Sequence, residues 1–236
     1  KLLHKLLAED GAIFISIDDN EQVSLKMICS EVFGTANFIT NIIWQKVYTV
    51  KNTAKYFSEM HDYICVFAKN KSRFVRNPLP RNETQDNAYK NPDNDPRGPW
   101  KATPIQARNQ YSKGLYPIKT PSGRIIDGPP KGTYWRLSEE NFKILDEDNR
   151  IWWGDKGNNI PARKSFLSEV KSGVVPSTIW SYKEAGHNAS AKLDVREIFH
   201  EKSDNSLFNT PKPKKLIERI IQIASDENSI ILDSFA

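Results

Sequence analysis

The chain has 236 residues, 38% hydrophobic composition and a formal net charge of +5. This length accommodates one large or two small domains with a buried core. No apolar run reaches the roughly 18 to 20 residues of a membrane span and the first residues lack a signal peptide, so we expect a soluble, cytoplasmic protein without membrane contact. Cys29 and Cys65 lie in apolar surroundings, which predicts buried reduced thiols and no metal site.

The first 70 residues predict alternating helices and strands. Leucines at helical spacing indicate a first helix, and the apolar run 12–17 indicates a strand. The side chains at 18–20 are expected to cap a helix that ends at Gly34. The apolar face of this helix is expected to consist of Val23, Met27, Ile28 and Val32. Residues 38–46 and 63–69 are strand-like and adjacent, which favours an antiparallel hairpin.

The middle of the chain has little regular periodicity. Ser138 is expected to cap a short helix, and short ordered elements are expected around 150–154, 165–167 and 178–182. From about residue 205 the regular α/β pattern returns.

The last 30 residues predict a helix and then a strand. Pro213 is suited to a first helical turn, where its missing N–H leaves no bond unmade. Ile230-Ile231-Leu232 is expected to form a buried strand that ends in Asp233. An acidic residue in that position is typical of doubly wound sheets, which bind ligands at the carboxyl ends of their strands.

Positive charge is concentrated between Lys71 and Arg136. This stretch has thirteen Lys and Arg against five Asp and Glu, a net of +8 that leaves −3 for the remainder. It also contains seven aromatic residues among Gly, Pro, Asn and Ser. The mixture suits phosphates and bases; a solvated insertion with a few buried rings is the alternative.

Three separated segments resemble one family. They are Thr210-Pro211-Lys212-Pro213, Leu232-Asp233-Ser234-Phe235-Ala236 and residues 11–21. They are similar to a helix start, the methyl-donor loop and the segment after the catalytic loop of β-class DNA amino-methyltransferases. The resemblance is closest to N6-adenine-specific modification (Mod) subunits of type III restriction-modification systems, and it covers nearly the whole chain.

The resemblance implies the fold and the domain organisation. It implies an α/β chain with an incomplete Rossmann-like class I methyltransferase sheet and an inserted, irregular α+β target-recognition region. Residues 1–70 would be part of the catalytic domain, residues 71–204 the target-recognition region, and residues 205–236 a return to the catalytic domain with a truncated donor-binding segment.

The resemblance also implies a site for S-adenosylmethionine. The residues assigned to it are Thr210, Lys212, Pro213, Asp233 and Phe235. Lys212 would neutralise the methionine carboxylate of the donor, and Phe235 would pack against its adenine. Without the resemblance, an ordinary Pro-initiated helix with an exposed Lys and a core Phe explain the same residues.

The implied reaction is methyl transfer to the exocyclic amine of an adenine, with cytosine as the alternative target. The base must be flipped out of the duplex, because that amine is otherwise inside the stack. The Asp-Pro-Pro-Tyr loop that holds the amine in the family is not in this sequence, where the one Pro-Pro pair follows Gly128. No catalytic residue is therefore assigned, and this fragment alone is expected to be inactive. Ser16 and Asp18 are expected to shape the pocket, with one of Asp18 and Asp19 as a helix cap rather than an acid/base pair. His61 is expected near the flipped base or as a structural histidine.

Double-stranded DNA is the expected partner, and the resemblance adds a restriction subunit and a second copy of the protein as candidate partners. The residues expected to contact phosphates are Arg73, Arg76, Arg81, Lys101, Arg108, Lys113 and Arg124. A non-catalytic DNA-binding module on the same scaffold is one alternative. A dinucleotide-binding α/β enzyme is another, but it predicts a Gly-x-Gly-x-x-Gly turn that this sequence lacks.

Overall fold

A computed structural model describes residues 1–199 and 210–234. The helices are α1 (Leu2–Leu6), α2 (Gln22–Phe33), α3 (Glu83–Asp86), α4 (Glu139–Glu147), α5 (Tyr182–Ala185), α6 (Asn188–Phe199) and α7 (Lys214–Ala224). The strands are β1 (Ala12–Ile17), β2 (Phe38–Gln45), β3 (His61–Ala68), β4 (Trp100–Pro104), β5 (Gln106–Ala107), β6 (Ile118–Lys119), β7 (Ile125–Ile126), β8 (Tyr134–Trp135), β9 (Ile151–Trp152), β10 (Ala162–Phe166) and β11 (Ile179–Trp180). None of these helices combines the length and the apolar composition needed to cross a bilayer.

The chain divides into two compact units. The first consists of Lys1–Pro80 and Gly173–Ala236, and the second is Arg81–Ser172. The second unit lies inside the 71–204 insertion expected from the sequence. The target-recognition role of that insertion stays a prediction.

The first unit contains a four-stranded mixed sheet in the order β1-β3-β2-β11. The predicted hairpin is confirmed, because β2 pairs with β3 antiparallel. β1 also pairs with β3 antiparallel, and β11 runs parallel to β2. β1, β2 and β11 therefore all end at the same edge of the sheet.

Helices cover both faces of this sheet. Side chains alternate between the faces of a strand, so Ile64 and Val66 of β3 join one core cluster and Cys65 and Phe67 join another. The first cluster includes Leu216 of α7, and the second includes residues of α2. The unit is thus a mixed α/β structure in which β3 is buried on both sides. Cys29 and Cys65 are buried free thiols, as predicted, and burial raises the pKa of Cys65 to about 11.

The expected cap of α2 is wrong, and so is most of its expected apolar face, of which Val32 alone packs against the core. Val23, Met27 and Ile28 are exposed, whereas Cys29 and Phe33 are buried against β3. The buried face of the helix differs from the expected one because Cys29 and Phe33, four residues apart, lie on the same side of the helix. Their thiol and ring pack against Cys65 and Phe67 of β3. The N-cap residue is Glu21, without a side-chain capping bond. The Asp18 carboxylate instead accepts hydrogen bonds from the backbone and side chain of Asn20.

The expected buried strand at 230–232 is also wrong. These residues have no strand partner among the described residues, and Ile230 is 98% exposed. Apolar residues form a buried strand only where a neighbouring strand takes their backbone hydrogen bonds. Sequence alone does not reveal whether such a neighbour is present.

The second unit is built from small sheets around its own core. β4, β10 and β9 form one sheet, while β5 pairs with β8 and β6 with β7. Trp135, Phe142 and Trp153 are among the core residues. As predicted, Ser138 caps α4, because its hydroxyl accepts a hydrogen bond from the backbone N–H of Asn141.

Candidate functional site

A polar cavity of about 580 Å³ lies in the first unit, at the edge where β1, β2 and β11 end. Its lining residues come from the ends of β1 and β2, the start of β3, helix α6 and the segment before α7: Ser16, Ile17, Asp18, Lys46, Asp62, Asn188, Lys192, Thr210, Pro211 and Lys212. The carboxyl ends of strands in open α/β sheets are a general location for ligand sites. The volume lies within the range of small-molecule and cofactor pockets.

Asp62 is the buried charge of this cavity. Only 7% of the residue is exposed. Its carboxylate accepts a hydrogen bond of 2.6 Å from Lys46 Nζ, and Lys212 Nζ lies 3.9 Å from its other oxygen. Because Lys46 already pairs closely with Asp62, the charge of Lys212 is only partly compensated.

The lining carries a small excess of positive charge. The cations are Lys46, Lys192 and Lys212, and the anions are Asp18 and Asp62. The hydrogen bonds from Asn20 lower the pKa of Asp18 and so favour its ionised form. A ligand that bears both a carboxylate and an ammonium group would therefore find partners of both signs.

A buried hydroxyl also lines the cavity. Ser16 Oγ has no hydrogen-bond partner among the described residues. Buried polar atoms are nearly always paired in folded proteins. An unpaired hydroxyl in a cavity wall is thus consistent with a polar ligand.

The helix α7 begins beside the cavity, after Pro213. The Pro213 ring is buried and in close contact with Gly186, where an added Cβ would lie 2.7 Å from Pro213 Cβ. The backbone N–H of Lys214 donates to Asp194 Oδ2 at 2.8 Å. One of the helix's free donors is therefore satisfied by the protein itself.

The structure brings together some of the residues that the sequence assigns to a donor site. Thr210 and Lys212 line the cavity, and so do Ser16 and Asp18. Pro213 and Asp233 do not line it. Phe235 lies outside the described residues.

Four polar lining residues were not identified from the sequence as donor-site candidates: Lys46, Asp62, Asn188 and Lys192. The apolar lining residues Ile17 and Pro211 were not identified either. Lys46 and Asp62 could have been found from the hairpin, because strands 38–46 and 63–69 place the residues at their ends side by side. Asn188 and Lys192 are four residues apart and so share one helical face. Their approach to the cavity depends on tertiary contacts, including the bond from Asn188 N–H to the Lys46 carbonyl at 3.0 Å.

The cations expected to contact DNA differ in their surroundings. Arg73 and Arg76 are exposed in the first unit. In the second unit Arg81 is half-buried and bonded to Asp86 at 2.6 Å, which compensates its charge. The remaining four residues are exposed and form no ion pair within the described chain: Lys101, Arg108, Lys113 and Arg124.

The fold and the cavity define a mixed α/β protein with a cavity at the carboxyl edge of its sheet. Comparison with known proteins gives the family: the N6_N4_Mtase model, described as DNA methylase, matches residues 1–236. The chain belongs to this DNA methylase family.

Several characterised relatives match nearly the whole chain. The Type III restriction-modification enzyme StyLTI Mod subunit of Salmonella typhimurium is 33% identical over 100% of this chain and 35% of its own length. The Type II methyltransferase M.EcaI of Enterobacter cloacae is 26% identical over 99% of the chain and 47% of its length. The EcoPI Mod subunit of Escherichia phage P1 is 28% identical over 100% of the chain and 39% of its length. The chain thus spans less than half the length of these relatives.

Proposed function

We propose that the chain contributes the donor-binding cavity of a site-specific DNA methyltransferase of a restriction-modification system. The donor is S-adenosylmethionine, and the acceptor is the exocyclic amine of an adenine flipped from double-stranded DNA. The observation that carries the proposal is the convergence of Ser16, Asp62 and Lys212 on one cavity at the carboxyl edge of the sheet. The sheet would be part of a Rossmann-like class I methyltransferase domain.

The amino-acid end of the donor suits this cavity. S-adenosylmethionine supplies an electrophilic methyl group when it is bound. Lys212 binds the carboxylate, and the ionised Asp18 binds the ammonium group. Asp62 forms an ion pair with Lys46 and neutralises its charge, so Lys46 is not available to the carboxylate of the donor.

Calorimetry with S-adenosylhomocysteine, the demethylated donor, tests this assignment in the full-length natural protein that includes the sequence. A charge-assisted hydrogen bond contributes about 1.5 to 3 kcal/mol, so Lys212→Ala should weaken binding by about 10- to 150-fold. Lys214→Ala is the matched control, because Lys214 is 68% exposed on its side chain and pairs with Glu218 on the helix surface. Its affinity should stay within about twofold of the unsubstituted protein.

A second ligand, methylthioadenosine, distinguishes loss of the Lys212 contact from a general disturbance of the cavity. Methylthioadenosine has no carboxylate, so Lys212→Ala should leave its affinity unchanged. Equal weakening of both ligands would mean that the substitution disturbs the fold of the cavity. No weakening of either would exclude Lys212 as a donor contact.

We also propose that the second unit contributes to DNA recognition. The support is the set of exposed cations without ion pairs within the described chain, of which Lys101, Arg108 and Lys113 are the ones to test. Each phosphate contact contributes about −0.9 to the slope of log affinity against log salt. Reversing all three charges should therefore make that slope shallower by about 3, whereas Lys143→Glu on the exposed face of α4 should leave it nearly unchanged. Salt-insensitive binding would exclude the assignment.

The partners follow from the relatives that are named Mod subunits. We propose that a restriction subunit and a second copy of the protein assemble with it. Co-purification with a coexpressed restriction subunit, followed by mass measurement of the complex, tests both partners.

A further inference from the structure

The loop between β2 and β3, residues 46–60, exposes an unusual concentration of aromatic rings. Among the described residues, the exposed aromatic side chains are those of Tyr48, Tyr56, Phe57 and Tyr111. Three of the four lie in this loop, with Tyr56 79% and Phe57 90% exposed. Aromatic rings are normally at least half-buried because water contact with their faces is unfavourable. Two adjacent rings in solvent are therefore more typical of a contact surface than of a connecting turn.

Two hydrogen bonds within the loop hold it together. The backbone N–H of Val47 donates to the Met60 carbonyl at 3.2 Å, and that of Lys51 donates to Ser58 Oγ at 2.9 Å. The Tyr48 ring lies 5.3 Å from the Tyr182 ring. The loop base is thus anchored, while Tyr56 and Phe57 remain in solvent.

The loop leaves the sheet at the rim of the donor cavity. Lys46, the first residue of the loop, and Asp62, at the start of β3, are bonded to each other and line that cavity. The two exposed rings therefore belong to a segment whose ends are fixed at the proposed reaction site.

The charge of the loop favours a nucleic acid over an apolar protein surface. Lys51 and Lys55 are exposed in the loop, against one exposed acid, Glu59, and Lys55 Nζ lies 5.1 Å from the Tyr56 ring centroid. Adjacent cations and aromatic rings are the combination with which proteins bind phosphates and stack unpaired bases. An apolar partner would have to desolvate both lysines without compensation.

We propose that Tyr56 and Phe57 stack on bases of the DNA beside the flipped nucleotide, while Lys51 and Lys55 contact its phosphates. The proposal rests on the proposed function, since the loop acts on the same DNA that the cavity methylates. It adds a DNA-contacting surface in the first unit, separate from the cations of the second unit.

Binding of a fluorescein-labelled duplex, followed by anisotropy in the full-length natural protein, tests the proposal. Loss of a base-stacking ring weakens binding by about tenfold, so Tyr56→Ala with Phe57→Ala should cost at least that factor. Leucine at both positions should cost as much, because it retains an apolar side chain but has no ring face. Val50→Ala, in the same loop and also exposed, should bind within about twofold of the unsubstituted protein.

The outcomes distinguish this proposal from the proposed function. A loss below about fivefold in the double alanine variant overturns the loop assignment, provided that the unsubstituted protein binds DNA. Full binding by the double leucine variant also overturns it, because a merely apolar contact would then suffice. If the unsubstituted protein binds no DNA at low salt, the DNA-methylating function is refuted and the loop assignment with it. Urea unfolding of each variant ensures that a loss of binding is not a loss of fold.

Discussion

Lys164→Met is expected to destabilise the second unit strongly. The Lys164 side chain is 1% exposed, and its ammonium group pairs with Asp93 and, at 3.1 Å, with Asp95. Methionine matches the length and much of the volume of lysine, so it removes the charge with little change in packing. The substitution leaves the fully buried Asp95 carboxylate with one cation fewer.

The expected loss is about 3 kcal/mol of unfolding free energy. Removal of one partner of a buried ion pair costs roughly 3 to 5 kcal/mol, because the other charge stays buried without compensation. Arg97 still donates to both Asp95 oxygens at 2.8 Å, and the Asp93 side chain is 22% exposed and can be hydrated. Both features place the loss at the lower end of that range.

Urea unfolding followed by tryptophan fluorescence measures this loss, since the Trp100 ring centroid lies 5.4 Å from Lys164 Nζ. Lys143→Met is the matched control. Lys143 is 66% exposed on its side chain and pairs with Glu139 four residues earlier on α4, so its loss should be at most about 0.5 kcal/mol. Equal effects of the two substitutions would refute the argument that the Lys164 network is held by charge pairing in the core.

Three further predictions concern acid stability, thiol reactivity and a close backbone approach. Hydrogen bonds from Arg97 lower the pKa of Asp95 below its ordinary value of 3.8. The stability that this group contributes is full above that value and is lost as the pH falls below it. Urea unfolding between pH 5 and 3 should therefore show a shallower pH dependence of the unfolding free energy in Asp95→Asn, and an unchanged slope would contradict this. Burial raises the pKa of Cys65 to about 11, so Cys65 should react with a thiol reagent at pH 8 only after unfolding, which mass mapping of the labelled peptide would check. A Cβ at Gly114 would lie 2.2 Å from the backbone oxygen of Trp135, whereas nothing lies within 4 Å of one at Gly128. Gly114→Ala should therefore cost at least about 1 to 3 kcal/mol in urea unfolding, and a cost no greater than that of Gly128→Ala would contradict the close approach.

The regular elements of the first unit were largely predictable because their signals are local. The 12–17 strand and the hairpin follow from periodicity. In the second unit the start of α4 follows from one capping side chain, that of Ser138. The orientation of α2 was not predictable in this way. Both of its faces carry apolar residues, and only contact with Cys65 and Phe67 decides which is buried.

The candidate site was predictable in part and for a different reason. Lys212 was identified through resemblance to a family motif, and the structure places it on the cavity. The bond between Lys46 and Asp62 joins residues 16 positions apart, and it depends on the register of the hairpin. The prediction of a strand at 230–232 was wrong because apolar composition alone does not supply a neighbouring strand. No described residue pairs with this segment.

The most direct test of the central claim is transfer of a labelled methyl group from S-adenosylmethionine to unmethylated DNA by the full-length natural protein. The DNA is digested to nucleosides, and the label is located by chromatography. The account predicts label in N6-methyladenine, with less transfer at limiting donor when Lys212 is replaced by alanine. Absence of label from the DNA, with the protein folded and the donor bound, would contradict the proposed methyl transfer.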